Sequence, residues 1–154
     1  FGKPSLVGAV TGTIAGLASV TPASGWVGPL GAVAIGCIAS AVCYYAVYLV
    51  KRAIGVDDAL DVLGVHGVGG ALGTLLLPVL ASLGAGGAAL NHPAGVQFIV
   101  QLEGVIAGLA WSAVGSWVIA KLAARLVGLR VDREHETQGL DFTSHGETGY
   151  HINR

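Results

Sequence analysis

The sequence predicts an all-α integral membrane protein, and three observations carry that reading. Only 11% of the 154 residues are charged and 53% are hydrophobic, whereas soluble domains carry about 25% charged residues. Glycine is abundant, at 25 residues, without the three-residue period of collagen. Apolar, glycine-rich and charge-poor together describe membrane helices packed closely on one another. The third observation is the charge map. Lys and Arg stand at positions 3, 51, 52, 121, 125, 130, 133 and 154, with none in the connections 22–26 and 84–94. They therefore fall at alternate ends of four successive apolar runs, as the positive-inside rule requires of spanning helices. A soluble four-helix bundle has no reason for that alternation. Run one goes from inside to outside, and run four returns, so the tail is expected in the cytoplasm. The net charge of −1 leaves no nucleic-acid footprint.

The expected spans are about 5–21, 27–50, 60–83 and 95–127, so the membrane part is 1–128 and the tail 129–154. Pro22 closes the first run, at the short end of the roughly 17–25 residues that a spanning helix needs. Lys51-Arg52 close the second. The third begins at Val62 and meets the glycine-rich Gly84-Ala85-Gly86-Gly87. The fourth starts at Gly95 and extends past Ala120, because Lys121 and Arg125 can snorkel. At about 1.5 Å per residue it exceeds a bilayer, so a tilted or protruding helix is expected. Trp26, Tyr44, Tyr45 and Tyr48 lie near run ends and suit the interface. Trp111 and Trp117 lie deeper, where packing against neighbouring helices is expected. Cys37 and Cys43 read as small core residues of run two. The tail holds Asp132, Glu134, Glu136, Asp141 and Glu147, with His135, His145 and His151. It cannot span a membrane or form a core alone. The chain has no methionine and starts at Phe1, which reads as a piece of a longer polypeptide, and Lys3-Pro4 does not open a cleavable signal.

The stretch from Asp57 to Gly73 organises the rest. Asp57, Asp58 and Asp61 stand at its mouth, followed by an uncharged segment with one histidine inside. An ionisable group in an apolar span is costly and marks a functional site by default. On a helix His66 shares a face with Val62 and with Gly69, Gly70 and Gly73. Gly69 and Gly73 form a small-xxx-small pair that lets another backbone approach. A neutral imidazole donates from one nitrogen and accepts at the other, which suits a proton relay. Periodicity leaves a second reading open, a buried histidine satisfied by a neighbouring helix. The three carboxylates can cap the helix and complement its dipole. Asp61, one turn before His66, is the candidate for an inner-mouth role, with Asp58 beside it. Spacing does not separate capping from cation attraction. Glu103 reads as an acid near the outer interface, and His92 carries no role. His135, His145 and His151 lack ligand-like spacing with any cysteine, so no metal site is expected.

Several stretches resemble the ammonium transporter (Amt/Mep/Rh) family, and its bacterial Amt branch most of all. They are Gly2-Lys3-Pro4-Ser5-Leu6, Ala15-Gly16-Leu17, Val20-Thr21-Pro22-Ala23, Asp57-Asp58 through Asp61-Val62 to Gly64-Val65-His66-Gly67, Gln101-Leu102-Glu103, and Gly139-Leu140-Asp141 with His145-Gly146-Glu147 and Tyr150. The likeness covers essentially the whole chain, in order. It implies an eleven-helix fold with two inverted five-helix repeats and a long final helix. This chain would supply the last four transmembrane helices and the cytoplasmic tail.

The resemblance implies a homotrimer with one pore per subunit and a pair of histidines in each pore. His66 matches the second of the pair, and the first belongs to the missing N-terminal half. Val62 and Ile14 match apolar pore-lining positions. The tail, with Gly139, Asp141, Thr143, His145, Gly146, Glu147 and Tyr150, resembles the segment that docks on the inner face and couples subunits. Thr143 falls where plant relatives carry a phosphorylatable threonine. The bacterial branch also binds PII-type signal proteins, which makes one a candidate partner. The implied function is ammonium or ammonia transport across the cell membrane, plasma or inner, by a multi-pass protein embedded in the lipid bilayer. No bond other than to a proton is made or broken, so it is not read as an enzyme, and no cofactor is called for. Two rivals stand beside transport. An Amt-like ammonium sensor would carry an output domain after the tail. An Rh-type gas channel would lack the tail motif.

Overall fold

The computed structural model describes residues 5–82 and 87–149. Among these residues the regular structure is helical. Two units are compact in themselves, Phe1–Gly108 and Leu109–Arg154. Helix α1 covers Leu6–Val20 and is capped by Ser5, whose Oγ accepts from the Gly8 N–H at 3.1 Å. A 3-10 turn over Thr21–Ala23 follows, with Pro22 in it. Proline cannot donate the next ladder bond, so the α-helix stops there. Helix α2 covers Pro29–Tyr48, with Pro29 at its first position where a missing N–H costs nothing. It does not stop at Lys51-Arg52. A π turn carries it from Leu49 to Ile54, and Gly55 ends it in the left-handed conformation at φ 73°.

A second π turn, Leu63–Gly67, opens the third span and leads into helix α3, Val68–Ser82. Pro78 sits inside α3. Helix α4, Ala94–Leu126, is 33 residues long, roughly 50 Å at about 1.5 Å per residue and well beyond a hydrocarbon core of about 30 Å. The tail holds two short helices, α5 at Arg133–Gln138 and α6 at Leu140–His145. The four long helical stretches, Leu6–Ala23, Pro29–Ile54, Leu63–Ser82 and Ala94–Leu126, are each long and apolar enough to cross a membrane.

Within the first unit, α1, α2 and α3 pack by small residues in every fourth place. The buried positions are Ala15, Ser19 and Ala23; Gly31, Ile35, Ala39 and Cys43; and Gly69, Gly73 and Leu77. Small side chains let backbones approach where no hydrophobic gradient drives helices together. Gly16 meets Gly36 so closely that a Cβ on Gly16 would lie 3.6 Å from the Gly36 Cα. Ser40 Oγ donates to the Gly12 carbonyl across that contact at 2.9 Å. Gly73 lies against the Ser19 carbonyl, with no room for a methyl group. One cluster joins Ala15, Cys43 and Val65, with Val47 packed on it; another joins Ala23, Ile35 and Leu77.

One expectation is corrected, and a second finds no support among the described residues. Cys43 is buried, but Cys37 is exposed, because six residues on an α-helix reach a different face. Trp111 is 81% exposed and Trp117 is exposed as well, so the packing expected for them is not found among the described residues. Among the described residues, only six of Leu63–Ser82 and none of Ala94–Leu126 are buried. Apolar surface on that scale calls for lipid or further helices around it.

Candidate functional site

The site residues on the third span are placed by the segment before it. Gly55 turns the chain, and Asp58 then faces the start of the span. Its carboxylate accepts from the N–H groups of Val62 at 2.8 Å, Leu63 at 2.9 Å and Gly64 at 3.4 Å. Those are helix-start donors with no partner inside the helix, and an acceptor there also complements the helix dipole. Asp57 is exposed. Asp61 adopts φ 57°, a left-handed conformation that a short polar residue tolerates better than most. Its carbonyl accepts from Val65 N–H at 2.8 Å, and its Oδ1 lies 2.5 Å from Lys51 Nζ. Oδ1 is buried with no further hydrogen-bond partner, so the ammonium group is its only neutralising contact among the described residues. This ion pair ties the end of the second span to the mouth of the third.

His66 lies in the π turn and is exposed, as is Val62, four residues earlier. Gly64, Val65, Gly69 and Gly73 are buried. Simple α-helical spacing puts His66 on the face of Gly69 and Gly73; the structure separates them. A π turn takes up one extra residue relative to an α turn, which shifts the register between the two sides of the turn. Ile14 on α1 is 42% exposed and Val62 52%. Ile14 precedes Ala15 and His66 follows Val65, and those two partners share one buried cluster. The elements carrying Ile14 and His66 are therefore pinned together through Cys43.

A separate cleft lies in this unit. It has a volume of about 710 Å³ between α1 and α2, with Val7 and Ala15 inside and the Lys51–Asp61 pair at its edge. His66, Val62 and Ile14 are not among its walls. Glu103 and His92 are exposed. Among the described residues no group of three or more His, Cys, Asp or Glu side chains could hold a metal ion. In the tail, Thr143 Oγ1 donates to the Gly139 carbonyl at 3.0 Å, and Gly139 itself has φ 96°. Gly146 closes α6 at φ 67°, and Glu147 N–H returns to the Asp141 carbonyl at 2.9 Å. Asp141, His145 and Glu147 are exposed. Tyr150 and His151 lie outside the described residues.

Spacing could not reveal the Lys51–Asp61 pair or the two π turns. The acids at the mouth were visible, but their partners depend on how the connection folds back.

The family model for the Ammonium Transporter Family matches residues 1–150. This chain belongs to the ammonium transporter family. It is 45% identical to an ammonium transporter of Aquifex aeolicus over 98% of its own length and 36% of that protein. It is 39% identical to ammonium transporter 1 of Dictyostelium discoideum, over 97% of the chain and 33% of the relative. For the ammonium transporter of Bacillus subtilis the values are 38%, 96% and 37%. The chain thus spans about a third of the length of these curated relatives. Family membership and four membrane-capable helices together make it part of a multi-pass membrane protein.

Proposed function

We propose that this chain is the C-terminal part of an ammonium transporter and forms one wall of its pore, with His66 as a proton-relaying group. In this reading Val62 and Ile14 line the apolar path, and the missing N-terminal half supplies the opposite wall and a second histidine. The full protein is an eleven-helix, inverted-repeat homotrimer. The tail lies in the cytoplasm, where it couples subunits and offers a surface to a PII-type protein. The observation that carries the reading is local. His66 and Val62 stay exposed at the start of an apolar span, while Gly64, Val65 and Gly69 around them are buried.

The physics favours deprotonation. An unpaired ion leaving water for an apolar interior faces a large desolvation cost. Neutral ammonia does not. An imidazole can take the released proton and pass it on, since one nitrogen accepts while the other donates. Replacing His66 by alanine in the full-length protein should leave trimers intact and lower ammonium-evoked current by about a hundredfold or more, the low end of what a positioned proton-transfer group contributes. Current and trimer yield are read on the same preparation, with potassium as the competing ion. Undiminished, selective ammonium current would remove the relay role. Loss of trimers together with current would make His66 structural.

A further inference from the structure

We infer that Gly64 is a positioning residue for His66: its close fit against Val47 sets the π turn that points His66 out of the helix packing. The inference rests on the pore reading above for its consequence, but not for its geometry.

A Cβ placed on Gly64 would lie 2.6 Å from Val47 Cγ2 and 3.0 Å from both the Val47 Cα and its N. Backbone therefore meets backbone at this point, and only glycine fits without a shift. Five residues later Gly69 makes the next close contact, where a Cβ would meet Ser19 Oγ at 2.6 Å and Cys43 Sγ at 3.1 Å. Gly73 and Leu77 continue the buried series in steps of four. In an unbroken α-helix, positions five apart diverge by well over a hundred degrees and could not share this contact line. The π turn absorbs the extra residue, marked by the bond from Val68 N–H to the Leu63 carbonyl. Gly64 thereby takes the place that the residue four before Gly69 would otherwise hold.

Helix α2 supports the arrangement twice, one turn apart. Val47 packs on Gly64, and Cys43 Sγ donates to the Val65 carbonyl at 3.8 Å. With both Gly64 and Gly69 held inward, the extra residue bulges on the other side, where His66 is exposed together with Leu63. Without the bulge, either Gly64 or His66 must change face. A methyl group at Gly64 pushes the turn off Val47 and removes the reason for the π register. π turns recur at functional sites because they turn one side chain without disturbing the helix on either side.

The test uses the full-length protein in detergent, with Cys37→Ser, any cysteine of the N-terminal half replaced, and His66→Cys as reporter. The maleimide labelling rate of the protein carrying only these changes is the reference against which every further variant is read. Gly64→Ala should slow labelling at position 66 several-fold while trimers persist. Adding Val47→Ala to Gly64→Ala should restore much of the rate, because it removes the tightest contact. Unchanged labelling in Gly64→Ala trimers would overturn the inference. So would slowed labelling that Val47→Ala fails to relieve. If Gly64→Ala does not assemble, Val47→Ile decides, since it adds one methyl group at the same contact: slower labelling supports the role and unchanged labelling refutes it. Transport is read separately, with native His66. Gly64→Ala should then lower ammonium current in step with the labelling. Full current in the His66→Ala protein would sink the pore reading and leave the labelling result for Gly64 untouched.

Discussion

At the residue scale, the carboxylates before the third span divide their work. Asp58 holds three backbone N–H groups, and Asp61 holds Lys51 from a left-handed backbone position. Spacing alone did not separate capping from cation attraction. What separates them is direction, and direction comes from the connection 55–61. Asp58→Ala leaves those donors unpaired and should cost about 0.5–2 kcal/mol of stability, the usual loss for an N-terminal cap. Asp58→Asn keeps a side-chain acceptor and should lose less. Thermal unfolding of the detergent-solubilised full-length protein checks the order. Equal losses for the two variants would show that one remaining acceptor oxygen does not suffice, since Asp58 accepts on both.

At the element scale, the apolar runs form helices, and the first α-helix stops at Pro22, but the second span does not end at its charges. The second span runs through Lys51 and Arg52 as a π turn, where Arg52 stacks over the Tyr48 ring at 5.3 Å from its centroid. The third span begins with another. Neither carries a sequence signal, because a π turn is a compromise between a helix and its neighbours. The tail is a different case. Its two short helices meet at Gly139, whose carbonyl accepts from both the N–H and the Oγ1 of Thr143. An aspartate at 143 has no proton to donate, and it sets a negative charge against that carbonyl. Thr143→Asp should lower transport in the full-length protein with trimers retained, whereas Thr143→Ser, which keeps the donor, should transport normally. Normal transport by the aspartate variant would count against coupling through this residue.

At the scale of the whole molecule, much apolar surface lies uncovered among the described residues. Among the described residues helix α4 buries none of its own, and Leu6, Val7 and Leu17 on α1 are exposed. His66 lies open on the third span. A pore wall without its opposite wall has no enclosed, water-excluding path. Liposomes carrying this chain alone should therefore show no ammonium-dependent flux above protein-free vesicles. Saturable flux from the purified chain would overturn the reading that it holds only part of the pore.

Charge poverty, the alternation of basic residues and the four apolar runs determined the membrane class and the helical content, because a spanning segment must be both apolar and internally hydrogen-bonded. The order of motifs pointed to the family, and an ionisable residue inside a span pointed to His66. The face His66 takes was decided only by tertiary structure. It depends on where Val47 and Cys43 of α2 and Ser19 of α1 press against three glycines, and on the one extra residue the π turn takes up to satisfy all of them. Helical periodicity is a property of one segment; a register shift is a property of the contacts between three.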